Sequence, residues 1–153
     1  FNIYEYTDIA SGAGSWGEAA VSGTEENSCT AIENACNGEI LIVPATRIKD
    51  CKEVYLALQS IPLGPKRANV GIYFKELPED SSSITSESFA TGWQNPYQVS
   101  ESTSAYSTMV LLGNGNIAIY YEENENRNCN GGYDLVYKEI TLETLTSGYY
   151  KSL

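Results

Sequence analysis

The run AYSTMVLLGNGNIAIYYEE, residues 105 to 123, reads as a β-hairpin. Apolar residues fill Met109 to Leu112, Asn114-Gly115 supplies the reversal, and Ile117 to Tyr121 run back. Asn-Gly between two apolar runs predicts a two-residue type I′ turn, because that turn needs φ > 0 at both central positions. Tyr106 stands at the mouth of the first strand and Glu122-Glu123 at the end of the second. Strands joined by so short a turn are neighbours, so Glu122 returns to the sheet edge where Tyr106 lies.

The rest of the chain repeats the pattern. GEILIV (38–43), EVYLALQSI (53–61), NVGIYFKEL (69–77), the two hairpin arms and YDLVYKEITL (133–142) have strand character, and polar or Gly/Pro/Asn-rich turns separate them. YFKEL and VYKEI alternate polar with apolar residues, which gives each one wetted face. Residues 78–88 (PEDSSSITSES) and Glu122 to Gly132 read as exposed loops, and only TLETLTSG has the makings of a helical turn. The expectation is an all-β domain of antiparallel meanders. Periodicity alone does not choose between a sandwich and part of a propeller.

Charge and composition narrow the chemistry. The net charge is −11, with nine Lys and Arg and no His. Nucleic-acid binding needs clustered cations, so this balance argues against it. Acid–base chemistry without imidazole falls to carboxylates or tyrosines. Twelve tyrosines suit both β-strands and sugar-facing surfaces, since each ring has an apolar face and a hydroxyl tip. Cys29, Cys36, Cys51 and Cys129 contain no CxxC pair, which argues against zinc and leaves a disulfide or free thiols open. No apolar run is long enough to insert in a membrane. Phe1 begins inside an aromatic stretch with neither Met nor signal peptide ahead of it, as expected of a portion of a longer protein.

Three side chains stand out as candidates. Tyr106 has a phenol that becomes a nucleophile only if a base takes its proton; otherwise it is a half-buried strand-end ring. Arg67 follows a Pro-Leu-Gly-Pro turn, where a rigid loop can present a guanidinium to an anion; otherwise it is a solvated cation. Glu122 is either a partner in that site or a solvated charge.

The order of these signals carries a resemblance. LQSIPLGPKRANVGIYFK, then GWQNPYQVSESTSAYSTMVLLGNGNIAIYYEE, then GYDLVYKEITLETLT, resembles the carboxyl-terminal half of bacterial-type sialidases (exo-α-neuraminidases, glycoside hydrolase family 33). The match covers roughly residues 53 to 146. In that family an SxP…R turn gives the third arginine of a carboxylate clamp. An aYS strand start gives a tyrosine nucleophile, and a dGxIgxlYE hairpin follows. The resemblance implies that residues 1–153 are the carboxyl-terminal portion of a catalytic six-bladed β-propeller, about three blades of it. It implies Arg67 on the sialic acid carboxylate, Tyr106 as nucleophile and Glu122 orienting the clamp's first arginine. It also implies sialylated glycans as partners, the amino-terminal half of the propeller as the missing remainder, no metal or other cofactor, and a secreted, periplasmic or cell-surface location.

The departures are as specific. The family's acid–base aspartate and first arginine belong to the half that precedes this segment. Its tyrosine-activating glutamate and second arginine normally lie a blade or more before the third arginine. Glu25 or Glu26 and Arg47 are the residues available for those roles, yet Arg47 precedes Arg67 by only twenty residues. NSCTAIENACNGEILIVPA is better read as the strand pair before the third arginine, with Arg47 on a loop tip in TRIKDCK. SGAGSWGEA (11–19) looks like a worn Asp-box turn, and Trp93 like a packed strand-end ring. Two other readings stand beside the sialidase: a secreted, non-catalytic carbohydrate-binding β-sandwich, and a purely structural adhesin-like β domain.

Overall fold

The computed structural model describes residues 1–20, 36, 38–124 and 132–153. The described chain is all-β with antiparallel sheets, one of them curled like half a barrel. β1 (Tyr4–Asp8) and β2 (Ala13–Trp16) form a hairpin of their own. β3 (Glu39–Arg47), β4 (Lys52–Pro62), β5 (Val70–Glu76), β6 (Tyr97–Gln98) and β10 (Tyr150–Lys151) form a second sheet in the order β10-β3-β4-β5-β6. The third sheet is β7 (Thr103–Leu111), β8 (Ile117–Asn124) and β9 (Asp134–Ile140). Two short helices, α1 (Ser86–Ala90) and α2 (Leu142–Leu145), and a 3₁₀ turn at Ser81–Ser83 complete the described elements.

The five-stranded sheet is covered on both faces over β4 and β5, while Ile40, Ile42 and Tyr55 stay exposed on the face away from the shared core. Val43, Leu56, Leu58 and Ile72 meet Met109, Ile117, Ile119 and Tyr121 of the three-stranded sheet, and Ile140, Leu142 and Leu145 close the end of that core. On the other side Ala57, Tyr73 and Trp93 are sealed by Phe1, Phe89 and Leu77. Double coverage explains why β5 reads VGIYF without alternation and why all five residues are buried. Trp93 is 1% exposed and stacks on Phe1 with ring centroids 5.8 Å apart, so it is a core ring as its context suggested.

The three-stranded sheet differs. Its inner face lies in the core, while Val110, Tyr120, Leu135 and Tyr137 of its outer face are exposed. Tyr120 and Tyr137 are register partners with centroids 4.8 Å apart.

Several expectations need correcting. The hairpin loop is not a two-residue type I′ turn. Leu112 and Asn116 bracket Gly113-Asn114-Gly115; Gly115 donates its amide to the Leu112 carbonyl at 2.9 Å, and only Gly115 takes positive φ, +82°. That is the three-residue loop in which a left-handed glycine follows the turn. A Cβ on Gly115 would lie 2.5 Å from the Ser152 Cβ, so the tip is also closed by packing. Residues 78–88 are not simply loop: Asp80 caps a 3₁₀ turn over Ser81–Ser83, and Thr85 with Ser88 forms a capping box that starts α1. Glu122 and Glu123 belong to β8 rather than to the loop after it, and SGAGSWGEA contributes β2. The helical turn read at TLETLT is α2, capped by the Thr141 hydroxyl.

Candidate functional site

Arg67 and Tyr106 are 39 residues apart in sequence, and backbone pairing brings them together. The turn after β4 folds on itself through Leu63 N–H to the Asn69 carbonyl (2.9 Å) and Gly64 N–H to the Ala68 carbonyl (3.1 Å). Left-handed backbone at Gly64, Lys66 and Asn69 permits so tight a path. The turn then docks on the start of β7. Ala68 bridges Thr103, Ser104 N–H donates to the Arg67 carbonyl at 2.9 Å, and Asn69 N–H donates to the Ser102 carbonyl at 3.0 Å.

The guanidinium carbon of Arg67 thereby sits 5.7 Å from the centroid of the Tyr106 ring, within the range of a cation–π contact. Both residues are exposed, Tyr106 at 45%, so a solute can reach the phenol and the guanidinium from the same side. Glu122 lies behind them, its Oε2 accepting the Tyr106 amide at 3.3 Å. The returning hairpin arm thus places Glu122 where the pairing argument put it.

Two further groups share this neighbourhood. The Arg67 guanidinium is held above its ordinary value, first by the negative charge that Cys36 takes on when it ionises; desolvation opposes this, and the Tyr106 phenol and, more weakly, Tyr133 add to it. Burial pushes the Cys36 thiol up, with Arg67 pulling it down and Glu122 pushing it up. Cys36 and Cys51 are free thiols, while Cys29 and Cys129 lie outside the described residues. Neither Cys36 nor Tyr133 was singled out as a site residue, since neither belongs to the motifs that carry the resemblance.

The remaining candidates do not join the cluster. Arg47 ends β3 rather than occupying a loop tip, pairing with Asp50 (3.0 Å) and Glu76 (3.2 Å). Eight residues of strand, roughly 26 Å, separate it from Glu39, whose register partner Ser60 lies at the end of the sheet nearer Arg67. The twenty residues between Arg47 and Arg67 are the turn after β3, the whole of β4 and the turn that follows it. Glu25 and Glu26 lie outside the described residues.

The cluster has definite chemical capacities. A guanidinium presents paired N–H donors to a carboxylate. The phenol can attack carbon if a base receives its proton. Glu122 has one oxygen engaged by the Tyr106 backbone, so its demonstrated part is to hold the strand that carries the phenol. Among the described residues no group of three or more Cys, Asp or Glu could hold a metal ion, and no helix is long and apolar enough to cross a membrane. No protein-family model matches the chain, and no curated protein sequence matches it.

Proposed function

We propose that this chain is part of an exo-sialidase, the carboxyl-terminal portion of a six-bladed catalytic propeller, and that it releases terminal sialic acid from glycoconjugates once the rest of the propeller is supplied. The observation that carries the reading is the exposed pairing of Arg67 with Tyr106, 5.7 Å from guanidinium carbon to ring centroid. Sialic acid bears its carboxylate on the anomeric carbon. A carboxylate nucleophile would be repelled there, and a phenol is not, which sets this chemistry apart from the two-carboxylate scheme of most glycosidases.

In this mechanism Arg67 holds the sugar carboxylate through two N–H bonds. The Tyr106 oxygen attacks the anomeric carbon as the bond to the aglycone oxygen breaks. A base takes the phenolic proton, and an acid from the preceding half of the propeller protonates the leaving oxygen. Water then displaces Tyr106, and two inversions give net retention. Glu122 accepts the Tyr106 amide, and in this reading it orients the clamp's first arginine. A clamp with a single arginine and no general acid lacks most of its transition-state stabilisation, so residues 1–153 alone should not turn over.

In a polypeptide that supplies the other blades, Tyr106→Phe should abolish hydrolysis of a 4-methylumbelliferyl sialoside while keeping sialic acid binding. Arg67→Gln should weaken binding by about tenfold or more, as expected from losing hydrogen bonds to a charged group. Turnover by Tyr106→Phe, or hydrolysis by the isolated chain, would overturn the proposal. One observation favours a non-catalytic carbohydrate-binding sandwich instead: two sheets share a single core, with an exposed Tyr120–Tyr137 pair on the outer face. That reading requires glycan binding by the isolated chain that survives Arg67→Gln.

A further inference from the structure

The ladder between β7 and β8 does not hold Tyr106. The register slips between Ser104 and Ser107, so Ala105 and Tyr106 fall in a bulge, a device that re-aims a side chain at the cost of local pairing. Contacts from other elements fix this bulge. Before it, Ser104 N–H donates to the Arg67 carbonyl at 2.9 Å. Within it, Tyr106 N–H donates to Glu122. Beyond it, the grip comes from the other sheet. The Ser107 hydroxyl donates to the Ser60 hydroxyl oxygen at 2.9 Å. Glu39 Oε2 accepts both the Thr108 hydroxyl (2.7 Å) and the Met109 amide.

Glu39 and Ser60 are register partners on β3 and β4, so one rung of the five-stranded sheet holds the three residues that follow Tyr106. Ser60 is fully buried. β7 is an edge strand, whose outward amides have no ladder partner. A carboxylate is a strong acceptor for such an amide, because a charge-assisted bond is roughly twice as strong as a neutral one. Two carboxylates, Glu122 at residue 106 and Glu39 at residue 109, thus bracket the bulge from different strands.

We infer that Glu39 and Ser60 are positioning residues for Tyr106, clamping β7 just past the bulge so that the phenol stays against Arg67. The assignment rests on the sialidase reading for its functional meaning, since a nucleophile must be held to within about half an ångström of its productive place. Ser60 acts through the Ser107 hydroxyl, and Glu39 acts through the Thr108 hydroxyl and the Met109 amide.

The test uses the 153-residue chain with 3-fluorotyrosine placed at position 106, read by fluorine NMR together with amide exchange at Met109. The parent chain should give one narrow resonance that moves in Arg67→Gln, which registers the contact between the two side chains. Glu39→Ala should shift and broaden that resonance and speed Met109 exchange by roughly tenfold or more, with cooperative thermal unfolding retained. Glu39→Gln, which keeps an acceptor oxygen, should restore both signals most of the way. A resonance left in place in folded Glu39→Ala overturns the assignment. Should Glu39→Ala not fold, Ser60→Ala and Ser107→Ala remove the other arm, and an unmoved resonance in both overturns it equally. No sugar enters the experiment, so its failure leaves the sialidase proposal standing, and failure of that proposal leaves the clamp measurable.

Discussion

Tyr150 shows how a single residue ties distant parts of the chain together. Its hydroxyl donates to Glu76 at 2.9 Å, and the other oxygen of that carboxylate receives Arg47 at 3.2 Å. Burial first, then the bond to Glu76, pushes the Tyr150 phenol up to about 12. Its neutral form is therefore favoured in the folded chain, whereas an unfolded tyrosine ionises near ~10. The stabilisation is complete below that pH and is lost as the pH climbs from about 10 through the folded value. Urea midpoints should fall further between pH ~9 and ~11 in the parent chain than in Tyr150→Phe, and equal falls would remove Tyr150 as the cause. At neutral pH the same substitution should cost about 1 kcal/mol, the net worth of one hydrogen bond.

At the scale of elements, α2 is short but carries much of the closure. Leu142 is fully buried and Leu145 nearly so, both in the core shared by the two larger sheets. Leu142→Ala should lower unfolding free energy by about 2–5 kcal/mol, measured by denaturant titration; a loss near zero would mean that the core end collapses around the gap. The helix was legible because the cap is local: Thr141 precedes LETL and its hydroxyl accepts the Thr144 amide at 3.1 Å. The long strands were legible for the same kind of reason, since Glu53 to Ile61 and Asn69 to Leu77 carry their apolar content on the face. What sequence did not disclose depends on remote partners. β10 exists because Tyr150 meets Arg47 across the chain, and β6 because Tyr97 meets Ile72. The Gly-Asn-Gly loop type was missed because Asn-Gly fits two loop lengths, and packing of Gly115 on Ser152 accompanies the longer one. Within the site, Tyr106, Arg67 and Glu122 were readable from motif order, but Glu39 lies in an ordinary strand start. Its grip on β7 spans 69 and 70 residues of sequence, beyond any local pattern.

For the whole molecule, the asymmetry is between a five-stranded sheet covered on both faces over β4 and β5 and a three-stranded sheet covered on one. Val110 (49%), Tyr120 (43%), Leu135 (72%) and Tyr137 (44%) remain exposed on the outer side. In the propeller reading, this is the face that a neighbouring blade would cover. A net charge of −11 opposes pairing of two copies through it at low salt. The native chain should therefore enhance the fluorescence of an anionic apolar dye at moderate salt, and Tyr120→Ser with Leu135→Ser should remove most of that signal without lowering the unfolding free energy by more than about 1 kcal/mol. Dye binding that persists in the double variant would place the apolar surface elsewhere. The contact between Gly115 and Ser152 has a practical corollary for anyone engineering the protein. Ser152 sits under the tip of the β7–β8 hairpin, so a fusion partner or affinity tag joined directly behind Leu153 begins its path at the lever arm of the strand that carries Tyr106. A tag there should be separated by a flexible spacer, or it will report on a hairpin it has itself prised open.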